Sequence, residues 1–455
     1  MISRNASAIA ALAICGLAAA AAAQSLCEAT GPDIVVSHIE GVLNFSPTQS
    51  ADGVAFATRQ TNVGDVSMVA NLQTPQHPVQ APNLYRHTSV GGVSRFEQIG
   101  MGWCFHAGIP LNMGGFCACR GGSGAFIGPG CSDPHSAGAM AGPANLGPRW
   151  GVDAATGQLA HPHATPAGQL PGIVRFRSVD VDAVAYAGAS YFAEVVVLHI
   201  DEPTENRENN ATWRPLDATQ SGDNTSFFLA GAVRPGEAAI QAWKSLVPGV
   251  SEAAIDVPAD GRFILAARVV RVGGNLWHYE YAVYNLNSSR AAAAFVLPRP
   301  SGLNIASAGF HDVEYHSGDG PEGQSIVGAD WTFGGSVAQI KWETEPYEIN
   351  PAANALRWGT LYNFRLSCNA APVPGAPSLE LFLPGEPGVL NAALPVPGGP
   401  SCLGDHDGDG NRAMTDIFAF LSDWFARNDA GDADGDGTCS VPDIFAFLAS
   451  WFAGC

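Results

Sequence analysis

Aspartates recur at a fixed spacing near the end of the chain, where their carboxylates could coordinate a metal ion. The first set is Asp405, Asp407, Asp409 and Asp416, with Gly410 among them. Counted from Asp405, the carboxylates take positions 1, 3, 5 and 12 of a loop, and the glycine takes position 6. Such a loop can surround Ca²⁺, because this ion takes six to eight oxygen ligands and the glycine permits a sharp turn.

A second set repeats the first one 27 residues later, with Gly437 at position 6. Position 7, which offers its backbone carbonyl, is Asn411 in the first loop and Thr438 in the second. The sequence therefore predicts two Ca²⁺ sites. Their ligands are Asp405, Asp407, Asp409, Asn411 and Asp416 in the first loop, and Asp432, Asp434, Asp436, Thr438 and Asp443 in the second.

Each loop leads into a short apolar segment with helical spacing. The first segment has Ile417, Phe420, Leu421 and Trp424, and the second has the equivalent Ile444, Phe447, Leu448 and Trp451. The i, i+3, i+4, i+7 pattern predicts two amphipathic helices. So small a domain needs metals or a disulfide to fold. The helices carry more large apolar residues than they can bury against each other, so we expect some to face a partner or the rest of the chain.

A second group that could do chemistry lies at 311–316. On a strand, Asp312, Glu314 and His316 would share one face and offer two carboxylates and an imidazole to a sugar or a metal. The alternative is the polar face of an edge strand, which alternation produces on its own. Glu194, Asp201 and Glu202 have the same two interpretations. The chain has no GxSxG, HExxH or P-loop motif, and the sequence favours a non-catalytic role for this region.

Cysteines cluster in a glycine-rich stretch at 101–150. Cys104, Cys117, Cys119 and Cys131 predict a loop region tied by disulfides. The alternative is a zinc site that adds His106 and His135 to these cysteines. Elsewhere, Cys27 and Cys368 bracket the region of predicted strands, and a disulfide between them would close it.

The first 23 residues have a charged start, an apolar run and a small-residue end. They predict a secretory signal peptide at 1–23, hence a secreted protein in an oxidising compartment. A membrane anchor is the alternative, but the run is short and alanine-rich, and no second apolar span follows it. The net charge is −20 and the chain has only two lysines, which argues against nucleic acid as a partner.

The long middle part has the pattern of a mainly β domain. Runs rich in β-branched and aromatic residues alternate with turn residues, which predicts an antiparallel, sandwich-like fold over 24–370 with one helix at 236–246. Alternation at 277–285 predicts a strand with one buried face. The Pro/Gly-rich stretch 371–400 predicts a linker with one small hairpin, followed by a separate all-α domain at 401–455.

The last part of the chain resembles a dockerin domain. Two loops with Asp at position 12, each followed by one helix, carry the resemblance, and the frame from Cys402 to a terminal Gly454-Cys455 resembles dockerins of secreted bacterial proteins. It implies calcium at the ligands named above and a Cys402–Cys455 disulfide. Dockerins that bind cohesins carry Ser/Thr pairs at loop positions 10–11 and basic residues along the helix. This chain departs from them at Met414-Thr415, Val441-Pro442, Leu421-Ser422 and Leu448-Ala449, which implies a more apolar partner surface.

These observations favour a secreted protein that is attached to a surface or an extracellular assembly through a calcium-stabilised module. The expected partner is a cohesin-like or other surface receptor. The alternative is a polysaccharide-degrading enzyme, such as a glycoside hydrolase, or a carbohydrate-binding protein, because proteins with dockerins often act on polysaccharides. A calcium sensor is a third class, and it fits less well because extracellular calcium is constant.

Overall fold

A computed structural model describes residues 26–48, 51–164, 173–222, 224–316, 318–400, 402–408 and 411–454. The predicted signal peptide, Asp409 and Cys455 lie outside these ranges. Within them the chain is mainly β, every pairing between its numbered strands is antiparallel, and two helices follow at the end. The predicted fold class is confirmed at this level.

The described part of the first half of the chain contains sixteen strands and the short helix α1 (Ala137–Met140). The strands are β1 (Ile34–Thr48), β2 (Ala51–Asn62), β3 (Met68–Val69), β4 (Val79–Val90), β5 (Val93–Met101), β6 (Cys104–His106), β7 (Phe126–Ile127), β8 (Ser132–His135), β9 (Leu146–Gly147), β10 (Val152–Asp153), β11 (Gln158–Leu159), β12 (Val174–Arg177), β13 (Ser190–Leu198), β14 (Ala211–Ser221), β15 (Asn224–Leu229) and β16 (Arg234–Pro235).

The residues described in the second half add twelve strands and three helices. The strands are β17 (Ser251–Asp256), β18 (Arg262–Gly273), β19 (Leu276–Asn285), β20 (Ala292–Pro298), β21 (Ile305–His311), β22 (Thr332–Gly335), β23 (Gln339–Glu343), β24 (Thr360–Cys368), β25 (Ala370–Gly375), β26 (Ser378–Leu381), β27 (Val389–Asn391) and β28 (Leu394–Pro400). The helices are α2 (Gln241–Leu246), α3 (Met414–Ala426) and α4 (Val441–Ala453).

The first sheet has the order β1-β2-β12-β5-β4-β13-β14-β15. It folds over on itself, because β1 also lies against β13, β14 and β15. Asn44 links β1 to β15, the two ends of this sheet. Its side-chain N–H donates to the Phe227 carbonyl (3.0 Å), and its side-chain oxygen accepts from the Phe227 backbone N–H (2.8 Å). Between the halves lies an apolar core that includes Ile34, Phe56 and Val195.

Among the described residues, the β region also contains two five-stranded sheets and three two-stranded ones. The second sheet has the order β17-β18-β19-β24-β21, and the third has the order β22-β23-β20-β26-β27. Phe364 of the second sheet stacks on Phe295 of the third, with ring centroids 4.6 Å apart. On its other face, the second sheet packs against the first through a core that includes Phe96, Trp213 and Tyr284. The second sheet is therefore the middle of three layers.

Strand β19 shows the consequence of this middle position. Its predicted buried face is present, since Tyr279, Tyr281 and Val283 lie in the core shared with the third sheet. The opposite face is buried too, because Ala282 and Tyr284 lie in the core shared with the first sheet. The prediction that only one face is buried is therefore wrong. Alternation along a strand does not show whether a second layer covers its other face.

The predicted linker at 371–400 is also wrong. Its residues form β25 to β28, and β26 pairs with β20 of the third sheet. Leu379 and Val396 are buried in the core between the second and third sheets, and the Tyr281 hydroxyl donates to the Pro395 carbonyl (2.7 Å). The hairpin predicted within the stretch is confirmed as the pairing of β26 with β27. The β region thus extends to Pro400.

The disulfides agree with the predicted tied loop and correct one pairing. Cys119 bonds to Cys131, and Cys27 bonds to Cys117. The predicted Cys27–Cys368 bond is therefore wrong, and the Cys368 thiol is buried. Three of the cysteines in the zinc alternative are thus used in disulfides and offer no thiolate to a metal. Sequence spacing cannot give this connectivity.

The helix predicted at 236–246 is present but shorter. Helix α2 begins at Gln241, and Trp243 anchors it in the core with its indole N–H donating to the Ser94 hydroxyl (2.8 Å). Among the described residues, no helix has the length and the apolarity that crossing a membrane requires.

Candidate metal centre

The two aspartate-rich loops each bring three carboxylates together. In the first loop, oxygen atoms of Asp405, Asp407 and Asp416 all lie within 4.8 Å of one another. In the second loop, the same holds for Asp432, Asp434 and Asp436. Desolvation, together with the charges of neighbouring aspartates, raises the pKa of Asp434. These clusters could each hold a metal ion, because a cation would relieve the repulsion between their carboxylates.

The position-12 aspartates sit at the starts of α3 and α4. Asp416 accepts from the backbone N–H of Ala413 (2.7 Å) and of Asp407 (3.1 Å). The Asp443 carboxylate accepts from the backbone N–H groups of Ser440 (2.6 Å), Ala433 and Asp434. Each of these buried carboxylates therefore ties its loop to the first turn of the following helix, where a negative charge is also favoured by the helix dipole. Asp443 is not in the carboxylate cluster of its loop.

The two repeats pack as equivalent halves. Phe420 and Phe447 stack with ring centroids 4.3 Å apart and planes 6° from parallel. The indole N–H of Trp424 donates to the Ser440 carbonyl (2.7 Å), and the indole N–H of Trp451 donates to the Ala413 carbonyl (3.2 Å). Each tryptophan thus bonds to the residue before the other helix, which joins the loops and helices into one small unit.

The outer faces of the helices carry a repeated apolar surface. In each helix three large apolar side chains are exposed, at positions that match under the 27-residue repeat. We call them the outer stripes: Met414, Phe418 and Phe425 on α3, and Val441, Phe445 and Phe452 on α4. The four phenylalanines are 65–75% exposed. Because the residues facing inward already form the core of the unit, the stripes contribute little to its internal packing.

The unit is also attached directly to the β region. The turn between β18 and β19 meets the second loop, where the Gly274 N–H donates to the Asp432 carbonyl (2.8 Å). The guanidinium of Arg271 donates to Nδ1 of His406 (2.9 Å), and Nε2 of His406 donates to Asp423 (2.9 Å). Cys402 takes part in a disulfide, and its predicted partner Cys455 lies outside the described residues.

The predicted catalytic residues do not share a strand face. Strand β21 ends at His311, so Asp312, Glu314 and His316 lie in the segment after it and share no strand face. Asp312 accepts from the side chain of Asn354, Glu314 is exposed, and Nε2 of His316 contacts the Met101 carbonyl (2.7 Å). All three line a polar cleft of about 350 Å³, but Asp312 and His316 are engaged in structural contacts there.

The carboxylates of β13 and its following turn are not a polar outer face. Glu194 is fully buried and accepts from the hydroxyls of Tyr85 (2.8 Å) and Tyr284 (2.8 Å) and from the Ala239 amide. Glu202 is also buried and accepts from the Ile34 amide (3.0 Å). A polar outer face is therefore wrong for these two residues, because both side chains are buried inside the protein.

Glu202 forms a buried carboxyl pair with Asp33. Burial raises the pKa of Asp33 to about 6, and burial together with the Asp33 charge raises the pKa of Glu202. The nearby Arg207 charge lowers the pKa of Glu202, but by less than burial and the Asp33 charge raise it. Two carboxyls in contact cannot both ionise readily, so the pair retains a proton near pH 5.

This pair should make stability depend on pH. A carboxyl whose pKa is raised by folding stabilises the native state when protonated, and this contribution is lost as pH rises from about 4 to about 6. We expect Asp33→Asn to remove ~2 kcal/mol of that pH-dependent change. Urea unfolding of both proteins between these pH values measures it. Parallel stability profiles would contradict the shared proton, and Asp65→Asn at an exposed site is the matched control.

His106 of the glycine-rich stretch forms a cluster with two histidines from outside it. Nε2 of His77 lies 2.8 Å from Nδ1 of His106, and the His106 ring stacks on His163 with centroids 3.9 Å apart. Burial lowers the pKa of His106 to about 2. His135 instead contacts Asp133 (3.3 Å). The predicted zinc alternative is therefore wrong, and the neutral imidazoles serve as packing groups.

No protein-family model and no curated protein sequence matches the chain. Among solved structures, it is similar to a serine-rich repeat adhesion glycoprotein (Srr1) from Streptococcus agalactiae, at 10% identity, with 76% of this chain and 88% of that chain covered and a TM-score of 0.20. The N-terminal domain of the Streptococcus gordonii adhesin Sgo0707 gives 8% identity, 82% and 93% coverage, and a TM-score of 0.16. Scores this low do not establish a shared fold.

Proposed function

We propose that this is a secreted protein whose β region is held on a surface or in an extracellular assembly by a calcium-stabilised, dockerin-like module at 401–455. On this proposal Ca²⁺ binds in the two aspartate loops, and the outer stripes contact the receptor. Asp312 and His316 are engaged in structural contacts, and we assign the β region a non-catalytic role.

The observation that carries this proposal is the pair of outer stripes. Isolated exposed apolar residues are common on protein surfaces, but contiguous apolar patches mark interaction sites. Here six large apolar side chains are exposed on two short helices, and each residue on α3 has its equivalent on α4. Mutual packing of the helices does not need them, since Phe420, Phe447 and their neighbours already fill the core.

Secretion is supported by the cysteines. The structure contains the Cys27–Cys117 and Cys119–Cys131 disulfides. Such bonds form and persist in oxidising compartments outside the cytosol. They agree with the signal peptide that the first 23 residues predict.

The charge of the module indicates the chemistry of its receptor. Residues 401–455 contain ten aspartates and two arginines, a net charge of −8, of which two bound Ca²⁺ would neutralise half. We therefore expect a receptor protein with an apolar contact face and a basic rim. Such charge complementarity would raise the association rate, and the apolar contact would supply most of the affinity.

We expect the quadruple variant Phe418→Gln/Phe425→Gln/Phe445→Gln/Phe452→Gln to lose attachment. Glutamine suits a helix and removes the apolar contact, so binding of the labelled full chain to cells of its source organism, in Ca²⁺, should fall at least about tenfold. Helical circular dichroism would verify that the module is folded. The matched control is Phe228→Gln, since Phe228 is 51% exposed on β15. Attachment that survives both the quadruple change and chelation would refute the proposal.

A further inference from the structure

We propose that a cleft in the β region binds a neutral saccharide. The cleft has a volume of about 610 Å³ and lies between the β10–β11 hairpin, from the first half of the chain, and loops of the second half. This site depends on neither the aspartate loops nor the outer stripes. The lining residues that matter most for binding are Arg149, Trp150, Asp319, Tyr347, Arg357 and Trp358.

One wall of the cleft is held rigidly by a buried arginine. The Arg149 guanidinium donates to the carbonyls of Gly102 (2.9 Å), Gly359 (3.0 Å) and Pro82 (3.0 Å). The Arg149 carbonyl in turn accepts from the indole N–H of Trp358 (3.2 Å). Trp150 follows Arg149 directly and is 37% exposed, so a fixed turn presents a large aromatic surface to the cleft.

Two buried polar atoms in the cleft wall are unsatisfied. Asp319 is only 2% exposed, and one of its oxygens accepts from the Arg149 amide (2.7 Å). Its other oxygen, Oδ2, has no hydrogen-bond partner among the described residues, and the same is true of Nε of Arg357. A buried polar group without a partner destabilises the folded protein, and a ligand that supplies the partner removes this cost. This acceptor and this donor lie just below the cleft surface, so a hydroxyl group, which offers both a donor and an acceptor, would reach them through a small movement of the wall.

The charges of the cleft favour a ligand without net charge. Arg149 and Arg357 would repel a cation, while Asp153, Asp319 and Glu322 would repel an anion. Burial raises the pKa of Asp319 to about 7, so near neutral pH this carboxyl can either accept or donate a hydrogen bond. Aromatic side chains supply apolar faces beside these polar groups. A sugar ring combines an apolar face with hydroxyls, and it meets each of these requirements.

Binding of neutral trisaccharides to the full chain tests this inference. The probes are cellotriose, maltotriose, xylotriose, mannotriose and N-acetylchitotriose, measured by saturation-transfer NMR and calorimetry. We expect at least one to bind, and Trp150→Ala and Asp319→Asn each to weaken it at least about tenfold. Trp150 is partly exposed in a surface turn, so Trp150→Ala should fold even if Asp319→Asn does not.

Three controls test whether the sugar binds in this cleft and whether it must be neutral. Phe228→Ala, which removes an exposed aromatic on β15 outside the cleft, should bind as the unaltered protein does. Chitosan trimer and trigalacturonate test a cationic and an anionic ligand. The inference is overturned if none of the neutral sugars binds, if only a charged sugar binds, or if binding is unchanged in Trp150→Ala.

Discussion

Replacing Arg365 by alanine is expected to destabilise the β region by about 3 kcal/mol, because the change removes a guanidinium that bonds to two buried carboxylates. Arg365 of β24 bonds to Glu97 of β5 and to Glu280 of β19 (3.0 Å). Both glutamates are almost completely buried. Burial opposes ionisation of Glu97, yet the charges of His311, Arg365 and Arg86 hold its pKa at about 2.

The pH dependence of the free energy of unfolding provides a second test of this prediction. A depressed carboxylate pKa stabilises the native state above pH ~4.5, and that contribution is lost as pH falls towards 2. Without Arg365 the pKa of Glu97 should rise, so acid unfolding should begin at a higher pH. Urea unfolding at neutral and acid pH measures both effects. Arg262→Ala is the matched control, because Arg262 pairs with Asp256 and Glu208 at the surface, and it should cost under ~1 kcal/mol. An equal loss in both variants would contradict the role given to the buried network.

Removing calcium is expected to unfold the C-terminal module while the β region stays folded. Each site should stabilise the module by about 2.7 kcal/mol when Ca²⁺ is at a hundred times its Kd. Without the ion, three carboxylates remain within 4.8 Å of one another in each loop. In hydrogen exchange on the full chain, chelation should therefore remove the protection of α3 and α4 and leave that of β19 and β24 unchanged.

Adding back metal supplies the control for this experiment. Ca²⁺ should restore protection, whereas Mg²⁺ should restore it poorly, because the smaller ion demands strict octahedral geometry and retains its water. Protection of both helices that persists in chelator would show that the module folds without metal, and would contradict the stabilising role of the ion.

The loops and helices of the C-terminal module could be predicted from the sequence because their patterns are local. The carboxylates of each cluster lie within twelve residues of one another, and the following helices repeat one apolar pattern. The predicted strand at 277–285 is present as β19 for the same reason, since β-branched and aromatic residues favour extended backbone locally. The sequence predicted that some apolar helix residues would not be buried between the helices, but it did not identify Phe418 and Phe445 among them.

Contacts between distant segments could not be predicted from local patterns. The prolines of 371–400 suggested a linker, but β25 and β28 pair only with each other, in a two-stranded sheet where proline is tolerated. Glu194 looked like any strand carboxylate until Tyr284, ninety positions away, proved to donate to it. Trp150, Asp319 and Trp358 carry no local motif and meet only because two halves of the chain pack together.

Calorimetric titration of the full chain with Ca²⁺, after exhaustive removal of metal, tests the central claim most directly. Two ions should bind per chain, one in each aspartate loop. Asp405→Asn and Asp432→Asn should each abolish one site, and the double variant should bind none. A chain that binds no Ca²⁺, or whose stoichiometry is the same in all four proteins, would contradict the account.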